Sequence, residues 1–134
     1  MKKILLWCTM LITSWAFAQN TVQLGSGTGS SSFFPNYYYY NYSYSQTIYT
    51  AAEMTAQGAV AGDITKIRYK PTASVATTNW KDWVIYMTTS SKSTFSSKTD
   101  WIPVGNMTKV FDSTIPASIT ANEWMELTLS SAFT

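Results

Sequence analysis

The sequence predicts an all-β fold, an antiparallel β-sandwich of jelly-roll or immunoglobulin-like character. Three observations predict it. Aromatic residues make up 16% of the chain and charged residues only 12%, with serine and threonine spread throughout. That balance suits strands that show one face to a core and the other to water. Several stretches alternate apolar and polar side chains with the period of two of a half-buried strand. Turn-rich segments separate these stretches at short intervals. The aromatic and β-branched residues supply apolar area that offsets chain entropy, which argues against disorder.

Residues 1–18 read as a signal peptide. Lys2 and Lys3 give a basic start, Ile4 to Trp15 form an apolar stretch, and Ala16, Phe17 and Ala18 place small residues where a signal peptidase reads. The stretch falls short of the ~20 apolar residues that span a bilayer. Cleavage after Ala18 is expected, with Gln19 as the new N-terminus. Removing 18 residues from 134 leaves 116. One domain of that length buries roughly 60–70% of its unfolded surface. The nine basic residues lose Lys2 and Lys3, so seven face seven acidic ones. A neutral chain has no field to steer nucleic acid or anionic lipid. Cys8, the only cysteine, leaves as well. The mature chain then has neither a disulfide nor a transmembrane helix, and packing must stabilise it.

The next elements follow in order. Residues 21–24 read as a first strand and 25–32 (GSGTGSSS) as a flexible Gly/Ser-rich loop. The domain proper is 33–134. If 37–44 is a strand, Tyr38, Tyr40, Tyr42 and Tyr44 share one face and Tyr37 and Tyr39 the other. Residues 50–57 read as a strand end plus a turn. Residues 63–70 set Thr65, Ile67 and Tyr69 against Ile64, Lys66, Arg68 and Lys70. Further on, Trp83, Ile85 and Met87 alternate with Val84, Tyr86 and Thr88. A weaker strand covers 109–111, and Met125, Leu127 and Leu129 alternate with Glu126, Thr128 and Ser130. Turn-rich stretches lie at 71–79, 89–98 and 112–117. Residues 131–134 read as the lead-in to another element, so the sandwich is expected to be incomplete at its C-terminal edge and the chain a fragment, or a truncated gene product, of something longer.

Little catalytic chemistry is offered. There is no histidine, and the mature part has no cysteine. That removes Ser-His-Asp and Cys-His arrangements and the usual zinc ligands. A glycosidase needs two carboxylates across one sugar bond. Nothing in the sequence pairs any two of Glu53, Asp63, Asp82, Asp100, Asp112, Glu123 and Glu126. The run Gly25-Ser26-Gly27-Thr28-Gly29 lacks the spacing and context of a phosphate loop or a dinucleotide site. No cofactor is predicted. A calcium loop is unsupported, although a calcium held by backbone carbonyls leaves no sequence trace. Two Asn-x-Ser/Thr triplets, at Asn41 and Asn106, matter only in a eukaryotic secretory pathway. The aromatics remain: on a rigid sheet they stack on sugar rings or anchor a protein partner, and otherwise they fill a disulfide-free core.

Three stretches carry a resemblance: YYNYSYSQTIYTAAEM from Tyr39, NWKDWVIYMTTSSKSTFSSKTDWIPVGNMTKVF from Asn79, and EWMELTLSSAF from Glu123. Together they resemble the N-terminal β-sandwich region of large secreted and surface proteins of Bacteroidetes, flavobacteria in particular, of the type IX secretion cargo kind. The resemblance implies export to the outer surface or surroundings of a Gram-negative cell and offers no catalytic residues. It also implies an O-glycan site at Ser113, within Asp112-Ser113-Thr114. The sequence therefore predicts a non-enzymatic module for adhesion or spacing that meets a glycan or another surface protein. Its expected contacts are Tyr38, Tyr40, Tyr42, Tyr44, Trp80 and Trp101. The alternative is a carbohydrate-binding accessory domain of a secreted hydrolase.

Overall fold

The computed structural model describes residues 20–27, 29–37 and 39–134. The predicted signal peptide and its cleavage site, as well as Tyr38, lie outside the described residues. Among those described, strands dominate and only one short α-helix forms. The elements are α1 (Ala51–Ala56), β1 (Ile64–Tyr69), β2 (Val75–Ala76), β3 (Asp82–Met87), a 3-10 turn (Val104–Asn106), β4 (Thr108–Thr114), β5 (Ser118–Ile119) and β6 (Met125–Phe133). They pair as three small antiparallel ladders: β1 with β6, β2 with β5, and β3 with β4. The fold is all-β.

One apolar core serves both long ladders. Val110, Phe111, Ile115, Met125, Leu127 and Leu129 are buried, and Ile64, Ile67, Tyr69, Trp80, Trp83, Ile85, Met87, Ile119 and Phe133 pack against them. The predicted alternation of β3 and β6 is the one observed, because a period of two puts every second side chain on the buried face. In β1 it holds for Ile67 and Tyr69, but Ile64, expected on the opposite face with Lys66 and Arg68, also packs against the core, where the register shifts between Ile64 and Lys66. In β4 two consecutive residues, Val110 and Phe111, are buried. The register explains this. Ile85 pairs with Phe111 while Tyr86 pairs with Lys109, so Val110 is an extra residue without an opposite partner. This β-bulge turns both side chains inward. The bulge also disturbs the ladder around the Val110 carbonyl, and Ser130 Oγ donates to that oxygen at 2.9 Å. The same bond ties β6 to β4, where the two long ladders meet.

Several expectations need correction. Residues 21–24 form no strand: Val22 and Leu24 are half-buried and Thr21 and Gln23 exposed, but no ladder forms there. Asn20 Nδ2 donates instead to the Gly58 carbonyl at 2.7 Å. Residues 51–56, read as a strand end, form helix α1. Thr50 and Glu53 make a reciprocal capping box, with the Glu53 amide donating to Thr50 Oγ1 at 3.2 Å and the Thr50 amide to Glu53 Oε2 at 2.8 Å. At the other end Gly58, at φ +86°, closes a Schellman motif: its amide donates to Thr55 and that of Ala59 to Met54. The weak strand at 109–111 runs from 108 to 114, so 112–114 is strand and not turn. Residues 131–133 extend β6 instead of opening a new element. Within 71–79, Val75 and Ala76 pair with β5. Thr77, fully buried, donates from Oγ1 to the Pro116 carbonyl and from its amide to Ala117 at 2.9 Å. This satisfies a polar side chain whose burial would otherwise be costly.

Candidate functional site

Among the described residues of 37–44 there is no strand. Tyr40 donates its amide to the Tyr37 carbonyl at 3.4 Å, making a turn, and Ser45 Oγ donates to the Pro35 carbonyl at 2.7 Å across the base of the loop. The expected sharing of one strand face by Tyr40, Tyr42 and Tyr44 is therefore replaced by a loop arrangement. Tyr37 is half-buried and gathers Phe33, Tyr39 and Tyr40 around it, with ring centroids 4.8, 5.6 and 5.4 Å away. Phe33, Tyr39 and Tyr40 are exposed, and Tyr42 is 93% exposed. The segment is seated on the body through Phe34, whose ring meets that of Tyr69 edge-on at 5.8 Å.

Tyr44 joins a second aromatic group. Its ring stacks on the indole of Trp101 at 4.7 Å and 25°, and both remain substantially exposed. Gln46 holds this pair in place: its Nε2 donates to the Ile102 carbonyl at 2.7 Å and its Oε1 accepts from the Ile102 amide at 3.0 Å. Gln46 Nε2 also donates to the Tyr44 hydroxyl. Trp101 Nε1 donates to the Lys98 carbonyl, which fixes the indole plane. Asp100 organises the preceding loop. It accepts from Lys92 Nζ and from the Ser96 amide and hydroxyl, at 3.0 and 2.9 Å for the last two. These donors, led by Lys92, hold its carboxyl at about 2, well below the ordinary 3.8. Against this wall lies a shallow depression of about 120 Å³ lined by Gln46, Phe95, Ser97, Lys98 and Trp101.

Trp80 is placed elsewhere. It is half-buried against the core, its ring stacks on Trp83 at 6.4 Å, and its carbonyl accepts from Trp83 Nε1 at 3.0 Å. Its expected part as an exposed contact gives way to packing. Ser113 is exposed on β4, opposite Trp83, in a regular ladder and not in a turn. Gln46, Phe95 and Lys98 were not singled out by sequence. Gln46 and Ile102 lie 56 positions apart, and no local pattern announces such a meeting.

The carboxylates are mostly engaged in structure. Glu53 caps α1 and Asp63 accepts from Thr134 at 2.7 Å. Asp112 pairs with Lys109 at 2.6 Å, and Glu126 joins Lys66 and Arg68 across the β1–β6 ladder. These partners lower the Glu126 carboxyl below its usual range. Among the described residues no three His, Cys, Asp or Glu side chains gather as a metal-holding group, and no helix is long and apolar enough to cross a membrane. No family model, curated protein or solved structure matches the chain.

Proposed function

We propose that the chain is a non-catalytic module of an exported bacterial surface or secreted protein, built as a small antiparallel sandwich and serving adhesion or spacing. The observation that carries this reading is the exposed aromatic surface of the 33–49 segment together with Trp101. Large apolar rings kept in water on a hydrogen-bonded frame are costly unless something covers them. The engagement of most carboxylates in caps and ion pairs supports the non-catalytic part. The two long ladders around one core support the sandwich, and the basic-apolar-small order of residues 1–18 supports export.

Expression of the full chain in a Gram-negative host tests the reading. The product is expected outside the inner membrane, beginning at Gln19. Beads coated with it are expected to hold to the host's cell surface and to lose that hold when Tyr39→Ser, Tyr40→Ser and Tyr42→Ser are combined. A full-length product kept in the cytoplasm overturns export, and attachment indifferent to the triple change overturns the contact role.

A further inference from the structure

The depression beside Trp101 combines three features that converge on one ligand chemistry. The first is a fixed aromatic wall. Tyr44 covers one face of the indole and is not part of the depression's lining, while Nε1 is committed to the Lys98 carbonyl. A ring held this way offers apolar area without losing rotamer freedom when a ligand arrives. The second is size. About 120 Å³ is well under the roughly 300–1,000 Å³ of pockets that enclose a drug-sized ligand, so it suits one ring of a longer chain lying across the surface. The third is charge. Lys92 is paired with Asp100, but the Lys98 ammonium has no ion-pair partner among the described residues. With Asp100 neutralised by Lys92, the loop is left with one uncompensated positive charge, on a residue that lines the same depression as the indole.

We propose that this depression binds an anionic pyranose, a uronate or sulfated unit of a polysaccharide, with its C–H face on the exposed side of Trp101 and its acidic group on Lys98. The inference rests on the reading of the chain as an exported contact module and names what one part of its surface meets. An aromatic face takes the apolar side of a sugar, and an ammonium–carboxylate or ammonium–sulfate pair selects the acidic ones. Gln46 and Ser97 line the same hollow, but Gln46 is spent on Ile102, so it acts as a positioning residue for the wall.

Titration of the purified protein with oligogalacturonate, carrageenan oligosaccharide and neutral laminari-oligosaccharide, followed by calorimetry and tryptophan fluorescence, tests it. Binding to at least one acidic oligomer is expected, weakened by added salt, with no comparable binding to the neutral one. Which acidic oligomer binds tells carboxylate from sulfate recognition. Trp101→Ala and Lys98→Ala should each weaken binding ~10-fold, the scale of one aromatic or one charge-assisted contact. Lys98 is exposed, so its variant keeps the test valid if Trp101→Ala fails to fold. Flat titrations with both acidic oligomers, equal binding of the neutral one, or a Lys98→Ala protein that binds unchanged would overturn the proposal. The tyrosine-dependent bead attachment would survive those results, so the two readings fail separately.

Discussion

Asp100 shows how one half-buried carboxylate shapes a surface. The 89–103 segment contains no helix and no strand, so its order depends strongly on side-chain bonds. The Asp100 carboxylate accepts several of them, from Lys92 and from Ser96, and its own amide adds a backbone bond to the Ser97 carbonyl at 3.3 Å. Its carboxyl titrates near 2 when folded and at an ordinary 3.8 when released. A depressed value means that the folded loop favours the charged form. The stabilisation is therefore complete above the released value and is lost as pH falls towards 2. Trp101 reports on it, being the next residue. Its fluorescence is expected to hold steady from neutral pH down to the released value and to change below it, whereas Asp100→Asn should show the altered emission already at neutral pH. Unchanged emission in that variant would mean that Gln46 and Tyr44 hold the indole unaided.

Helix α1 marks the difference between what local chemistry encodes and what periodicity encodes. Six residues cannot sustain a helix by propagation alone, and Ala51 to Ala56 bury no side chain fully. The caps make the difference. Thr50 with Glu53 closes one end and Gly58 the other, a T-x-x-E signal followed by glycine that was present in the sequence but lies outside any apolar period. Beyond Gly58 itself and its two chain neighbours, no heavy atom lies within 4 Å of where a Gly58 Cβ would stand, so Gly58→Ala meets only the penalty of its φ of +86°. That change is expected to cost about 1 kcal/mol, read as a drop in the urea midpoint at constant slope. Loss beyond that would imply a packing role for the turn. The long strands were legible for the converse reason. Met125, Leu127 and Leu129 alternate without interruption, and β6 buries all three. In β4 the bulge at Val110 breaks the period, which is why only 109–111 could be read. The aromatic surface was legible in kind but not in geometry: the tyrosines were visible, while their loop and the Gln46–Ile102 clamp depend on long-range partners.

At the scale of the molecule, the N-terminal loop and both long ladders meet at Tyr69. Its ring lies on β1 and meets Phe34 and Trp83 edge-on at 5.8 Å each, which joins the aromatic loop and β3 to β1. Burial, and secondarily the charge that Tyr49 would carry, pushes the Tyr69 phenol up to about 12 from an ordinary 10. Folding thus favours the protonated phenol. The associated stability is fully present below the ordinary value and is lost as pH rises through about 12. An alkaline titration should show a phenolate step near pH 12, together with loss of the strand signal in far-UV circular dichroism. Tyr69→Phe keeps the ring contacts and removes the ionisation. It should therefore abolish the late phenolate step and move alkaline unfolding to higher pH. If no phenolate step remained near pH 12 and Tyr69 ionised near its ordinary 10 while the strands remained, Tyr69 would be open to water. Its ring could not then be the joint between the aromatic loop and the two ladders.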